Sequence, residues 1–339
     1  MDTELLQATD ENIEKAAHLL SQGKVVAFPT ETVYGLGANA LQKEAVEKIY
    51  QAKGRPSDNP LIVHVSSINM LRDLLYPNAI PPIYERVISK FWPGPLTILV
   101  PKPSNIPDIV TAGQNTLAVR LPAHEIARKL IEKCGFPLAA PSANTSGRPS
   151  PTLAAHVFEE LGGRIPAILD GGSCDSGLES TVLDGIRNPP AILRPGGATL
   201  ESLLQEIPNL LVYRKDFVDK SLEQAPSTPG MKYRHYTPNA TVIVVERTEN
   251  NDQLALIRDQ FVKYPKEKIG VLKTGLSAKF DLEIDLGDTC DMVARNLFSG
   301  LRDMEKLGAS VIIVQGISEK DEGLAVMNRL RKAAKYCIT

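Results

Sequence analysis

Two cations, a serine and an asparagine crowd one stiff stretch, Lys53-Gly54-Arg55-Pro56-Ser57-Asp58-Asn59-Pro60. Gly54 lets the chain turn, Pro56 and Pro60 restrict it, and Lys53, Arg55 and Asn59 supply donors suited to a polyphosphate. Basic residues that only complement a helix C-terminus would look the same. Arg120 and Arg194 each end an apolar run, Leu117-Ala118-Val119-Arg120 and Ala191-Ile192-Leu193-Arg194. In a strand, Thr116, Ala118 and Arg120 share one face, so small neighbours leave room for an anion at the guanidinium fork. A surface salt bridge is the plain alternative.

Three polar loops add acceptors and hydroxyls. Pro29-Thr30-Glu31-Thr32-Val33-Tyr34-Gly35-Leu36-Gly37-Ala38-Asn39-Ala40 contains GxGxxA with Asp58 downstream. A dinucleotide fingerprint needs the strand to run straight into its first glycine. Here six residues, one a proline, separate Phe28 from Gly35, so a loop offering Thr30, Glu31, Thr32 and Tyr34 to a small polar substrate is the better reading. Ala139-Ala140-Pro141-Ser142-Ala143-Asn144-Thr145-Ser146-Gly147-Arg148-Pro149-Ser150 allows close backbone approach and points at a nucleotide or other anion. Glu179-Ser180-Thr181 opens a further strand, and His64 closes another; a lone histidine is more often structural. GxxxxGK[ST], HExxH and GxSxG do not occur.

The elements that must position these residues alternate. A helical face of Ile13, Ala16, Ala17 and Leu20 precedes a strand at 24–28, and a second helix through Ala45, Val46, Ile49 and Tyr50 stops near Gly54. Strands are expected at 61–64, 96–100, 117–121, 166–169, 181–184 and 191–194, with helices at about 123–133, 152–161 and 198–206. Residues 207–240 lose apolar period and gain proline, as a linker does. Strands at 241–246, 269–273 and 310–314 then alternate with helices at about 251–262, 289–306 and 321–335. The reading is α/β, an open mixed twisted sheet with a second, smaller Rossmann-like α/β domain: 1–206, linker or lid 207–240, and 241–339. Polar loops adjoining strand ends are where sites of such sheets collect.

The 339 residues suffice for two domains. A net charge of −2 argues against a protein that grips nucleic acid mainly through phosphate neutralisation. Four scattered cysteines fit neither zinc nor a disulfide framework, and no signal peptide or spanning run is readable. A cytoplasmic protein without membrane association is expected.

PTETVYGLG (29–37), KGRPSDNPL (53–61), AVRLP (118–122), PSANTSG (141–147), ESTV (179–182) and LRPG (193–196), in this order, resemble the threonylcarbamoyl-AMP synthase family, the YrdC-like proteins. The stretch Ser227-Thr228-Pro229-Gly230-Met231-Lys232-Tyr233-Arg234-His235-Tyr236 is similar to the linker of longer, two-domain members, with Thr228 where serine is common. The resemblance implies the reaction of L-threonine, bicarbonate and ATP to threonylcarbamoyl-AMP and pyrophosphate, with Mg²⁺ expected alongside ATP and none held by the protein alone. A downstream complex would then pass the threonylcarbamoyl group to adenosine in tRNA. By the same resemblance Thr32, His64, Arg120, Ala140 and Ser180 hold L-threonine, and Lys53, Arg55, Asn59, Thr116, Ser142, Ser150, Arg194 and Tyr236 hold ATP. Lys53, Arg55, His235 and Tyr236 are placed nearest the chemistry, and Lys232, Arg234 and His235 form a lid. The rival reading is an RNA-binding module without catalysis, disfavoured by the charge balance and by aromatics at 5%. A carbamoyl-transferring relative from hydrogenase maturation would carry zinc-binding and acylphosphatase-like regions that this sequence lacks.

Overall fold

The structure, a computed structural model, describes residues 2–224, 226, 228 and 235–339. These divide into two compact units. The first holds the chain through Gln224 apart from Gly147–Ser150 and Ser176–Leu178, and those two segments group with the C-terminal residues in the second.

In the first unit β1 (Glu4–Gln7), α1 (Asp10–Ser21), β2 (Val26–Phe28), β3 (Gly35–Asn39), α2 (Lys43–Lys53), β4 (Ile62–His64), α3 (Ile68–Leu75), α4 (Tyr84–Phe91) and β5 (Leu96–Pro101) come first. Next are α5 (Asp108–Thr111), β6 (Thr116–Arg120), α6 (Glu125–Cys134), β7 (Leu138–Ala139), α7 (Ala154–Leu161), β8 (Ala167–Asp170), β9 (Thr181–Asp184), β10 (Ala191–Arg194), α8 (Leu200–Leu204), β11 (Leu211–Val212) and α9 (Lys220–Gln224). The strands form one mixed sheet of eleven, ordered β1-β8-β2-β3-β7-β4-β6-β5-β9-β10-β11. The apolar face of α1 (Ile13, Ala16, Ala17, Leu20) and that of α6 (Ala127, Leu130, Ile131) bury against Leu6, Val26, Phe28, Ala167 and Leu169 of the sheet. Thr9 accepts a hydrogen bond from the Asn12 N–H to cap α1, and α2 ends at Gly54, whose left-handed φ of 60° suits glycine.

Two sequence readings change. Gly35–Asn39, taken as part of a polar loop, is strand β3, antiparallel to β2 with Val26 opposite Gly37. It can pack there because a Cβ on Gly37 would stand 2.8 Å from the Phe28 ring; glycine is what the close approach demands, and it hides the strand from a propensity reading. Residues 207–240, read as a linker or lid with no element assigned, contain β11 and α9. Tyr213 and Leu222 bury with Ile62, Leu99, Ala118 and Val182 in a core cluster. Too few apolar residues fall at regular spacing for those short elements to be seen beforehand.

The second unit carries β12 (Thr241–Val245), α10 (Gln253–Lys263), β13 (Ile269–Lys273), β14 (Glu283–Asp285), α11 (Cys290–Lys306), β15 (Val311–Gln315), α12 (Gly323–Ala333) and β16 (Tyr336–Ile338). Its sheet is parallel throughout, ordered β14-β13-β15-β12-β16, the Rossmann-like pattern expected. Ile243, Val245, Val271, Val311 and Ile313 face Ile257 of α10 in its core. Among the described residues no helix is long and apolar enough to cross a membrane.

Candidate functional site

The strand register of the first unit gathers polar side chains at one end of its sheet. β4 and β6 run parallel, so His64 and Arg120 end them side by side. β5 is antiparallel to β6 and brings Thr97, near its start, opposite Arg120. β9 runs parallel to β5, which places Ser180 just before its first residue, and antiparallel β10 returns Arg194 beside Val182. Three strand ends and two strand starts therefore meet at one rim, which is why residues 130 positions apart in sequence become neighbours.

All of these groups are buried. Arg120 donates from Nη1 to Thr32 Oγ1 at 2.8 Å and from Nε to the Gly94 carbonyl at 3.2 Å, and its Nη2 lies 2.7 Å from Glu31 Oε1. Thr97 and Ser180 share a hydroxyl–hydroxyl hydrogen bond of 2.7 Å. Arg194 donates from Nη2 to the Ser180 carbonyl at 2.9 Å and to its Oγ at 3.2 Å. Thr30 Oγ1 closes the loop below them, donating to the Val33 carbonyl at 2.6 Å.

The electrostatics follow from this burial. Burial raises the Glu31 carboxyl, but the Arg120 guanidinium beside it outweighs burial and holds the group below its ordinary value. Burial, with the Arg120 charge beside it, pushes His64 down to about 3, against help from Glu31 and the carbonyls of Ile62 and Leu138. His64 is therefore a neutral ring at ordinary pH, packed edge-on to Phe28 at 6.2 Å. Because the unfolded chain takes up this proton near pH 6.5 and the folded one only near 3, stability present above pH 6.5 drains away as the pH falls towards 3. Thermal melts should show His64→Gln losing less Tm than wild type between pH 7 and 4.5; equal losses would mean His64 does not carry this linkage.

A second group gathers where α2 meets the loop after β7. Lys53 Nζ donates to the Ser142 carbonyl at 2.5 Å and to that of Asn144. The Lys53 carbonyl in turn accepts from Ser146 N–H at 2.9 Å. Burial, then the charge of Arg55, pulls the ammonium well below its usual range, with Glu160 opposing. Arg55 donates to the carbonyls of Asn59 at 3.1 Å and Pro60 at 2.9 Å, so it braces the turn that leads into β4. Ser142 Oγ donates to Asn144 Oδ1 at 2.5 Å, and Thr145 N–H donates to Glu160 at 2.7 Å. Ala140 N–H donates to the Ile62 carbonyl at 2.9 Å, fixing the start of this loop on the sheet.

Of the residues singled out from sequence, the fold brings Thr32, His64, Arg120, Ser180 and Arg194 to one rim and Lys53, Arg55, Asn59, Ala140 and Ser142 together beside it. Thr116 is partly exposed at the opposite end of β6 from Arg120, roughly 13 Å along the strand. Ser150, His235 and Tyr236 belong to the second unit, where Tyr236 is buried, stacked on Phe298 at 5.2 Å and under the Arg329 guanidinium at 5.4 Å. Lys232 and Arg234 lie outside the described residues. Tyr34 is corrected: its hydroxyl donates to the Gly172 carbonyl at 2.7 Å and accepts from Gly171 N–H, so it ties two loops and offers the site nothing. Lys53 and Arg55 do not project freely; backbone carbonyls already engage both. Thr97 went unread because its hydroxyl sits inside an apolar strand, and only its register opposite Arg120 gives it meaning. Glu31 appeared only as one loop acceptor among several.

Known proteins similar to this chain match it along nearly its whole length. A family model described as telomere recombination matches residues 18–196, and one described as the threonylcarbamoyl-AMP synthase C-terminal domain matches 198–335. The chain is 50% identical to the threonylcarbamoyl-AMP synthase of Pyrococcus abyssi, across 96% of this chain and 95% of that one. It is 44% identical to the Bacillus subtilis protein of the same name, across 98% and 95%. A crystal structure of P. abyssi Sua5 complexed with L-threonine superposes with a TM-score of 0.91 at 46% identity, covering 100% of this chain and 99% of that one. Two domains matched in order, over nearly the full length of such relatives, make this chain a member of the threonylcarbamoyl-AMP synthase family.

Proposed function

We infer that this chain converts L-threonine, bicarbonate and ATP into threonylcarbamoyl-AMP and pyrophosphate, for N6-threonylcarbamoyladenosine formation in tRNA. The observation that carries the reading is the buried rim of Arg120, Thr32, Ser180 and neutral His64, set in a chain 50% identical to a threonylcarbamoyl-AMP synthase over 96% of its length. The P. abyssi relative was crystallised with L-threonine. A guanidinium in a dry setting suits an amino-acid carboxylate, and the Thr97–Ser180 hydroxyl pair suits a ligand hydroxyl.

In the mechanism we propose, Arg120 pairs with the carboxylate of threonine while Thr32, His64, Ser180 and the backbone at Ala140 surround its other polar groups. The amine nitrogen bonds to the bicarbonate carbon while a C–O bond breaks and water leaves, giving a carbamate. A carbamate oxygen then attacks the α-phosphorus of ATP, the bond from that phosphorus to the bridging oxygen breaks, and pyrophosphate leaves. Lys53, Arg55, Asn59, Thr116, Ser142, Ser150, Arg194 and Tyr236 hold the nucleotide, with the cations meeting the charge that develops on the leaving group. Mg²⁺ enters with ATP as part of that substrate. Since the carbamate and its adenylate are labile in water, the linker of residues 207–240, through Lys232, Arg234 and His235, serves as the lid. The product passes to a tRNA-modifying complex, and the unpaired Cys134, Cys174, Cys290 and Cys337 fit a reducing cytoplasm.

The test is pyrophosphate release in the complete mixture and with threonine, bicarbonate or ATP left out in turn. Each omission should reduce release to background. Undiminished release without threonine would reject the reaction.

A further inference from the structure

The ion pair between Glu31 and Arg120 does more than neutralise a buried charge. Of the five N–H donors of a guanidinium, one on Nε is directed to the Gly94 carbonyl, one on Nη1 to Thr32 Oγ1, and Nη2 faces Glu31 Oε1 at 2.7 Å. Nη1 keeps one donor, and Nη2, drawn to Glu31 by charge without an aligned hydrogen bond, keeps its own; together they are the pair a carboxylate takes in a two-pronged contact. Without a partner on Nη2 the guanidinium would be tied only at Nε and Nη1, by the bonds to Gly94 and Thr32, and could tilt about the line joining them. The carboxylate is itself confined, because Glu31 is buried in the turn after β2, between Thr30, whose hydroxyl is tied to the Val33 carbonyl, and Thr32, which accepts from Arg120.

We propose that Glu31 is a positioning residue that fixes the plane of Arg120, so that the N–H groups left on Nη1 and Nη2 meet the substrate carboxylate as a preformed fork. The inference rests on the reading of Arg120 given above. Preorganisation of this kind lowers the ordering cost of binding, so its loss should appear in the affinity for the carboxylate-bearing ligand and leave other ligands untouched.

Two substitutions separate geometry from charge. Glu31→Gln keeps an acceptor oxygen at the same reach but gives up the charge, whereas Glu31→Ala removes both. Calorimetric titration of the full chain with L-threonine, with L-threoninol, which lacks the carboxylate, and with ATP supplies the readout, alongside thermal melts. Glu31→Ala should weaken L-threonine at least about 10-fold while ATP and L-threoninol change little, and Glu31→Gln should return L-threonine to within about 3-fold of wild type. Wild-type affinity for L-threonine in Glu31→Ala overturns the proposal. So does a loss shared equally by ATP, or by L-threoninol, or a fall in Tm with no recovery of threonine binding in Glu31→Gln, since those mark a merely structural ion pair. Failure of the wild-type chain to bind L-threonine at all would instead remove the reading of the site on which the inference stands.

Discussion

Replacing Arg120 by alanine is expected to cut threonine-dependent pyrophosphate release by about two to three orders of magnitude, the usual effect of deleting one donor aimed at a reacting anion. The loss should reside mainly in the threonine dependence, because Arg120 stands among Thr32, His64 and Ser180, while Lys53 and Arg55 lie in a separate group. The substitution also strips Glu31 of its counter-charge within a dry pocket. Breaking a buried pair from one side costs about 3–5 kcal/mol, so a lower Tm must accompany the change. Arg120→Lys retains a cation but not the two-pronged geometry, and should recover stability more than turnover. Normal threonine kinetics in Arg120→Ala would show that the carboxylate binds elsewhere.

Ending the chain after Gln224 is expected to leave the first unit folded and to abolish product formation. The position of the cut matters. Tyr213 and Leu222 belong to the core cluster with Ile62, Leu99, Ala118 and Val182, so ending the chain near residue 205 would remove part of that core as well as the lid. Losing two such buried side chains costs several kcal/mol, on the scale of about 2–5 kcal/mol for each large-to-small core change. A chain ending at Gln224 keeps them and discards the proposed lid residues Lys232, Arg234 and His235 together with the C-terminal part of the second unit. Its far-ultraviolet circular dichroism and cooperative melt should report an intact fold, while threonylcarbamoyl-AMP falls to background. Undiminished product from this shortened chain would reject the lid.

How much of this was legible in the sequence can be stated residue by residue. Long apolar runs fixed the strands ending in His64, Arg120 and Arg194, because burial on a sheet leaves few other ways to satisfy such runs. The glycine at 54 marked the end of α2 because its left-handed φ disfavours other residues. The motifs PTETVYGLG, KGRPSDNPL and PSANTSG marked where the chemistry gathers, since polar and small residues confined to strand ends have little structural use there. β3 escaped notice because its glycines serve close packing on Phe28, not propensity.

What only the tertiary structure decided is which groups touch. Sequence could offer Glu31 and Tyr34 as equals in one loop, yet one reaches Arg120 and the other turns away to Gly172. Thr97 became part of the site through an antiparallel register that no local pattern encodes, and the neutrality of His64 came from its burial beside a guanidinium. Strand-forming tendency is local and leaves a trace in residue order; register, burial and the field at a titrating group depend on segments far apart in the chain, and exist only once those segments have packed.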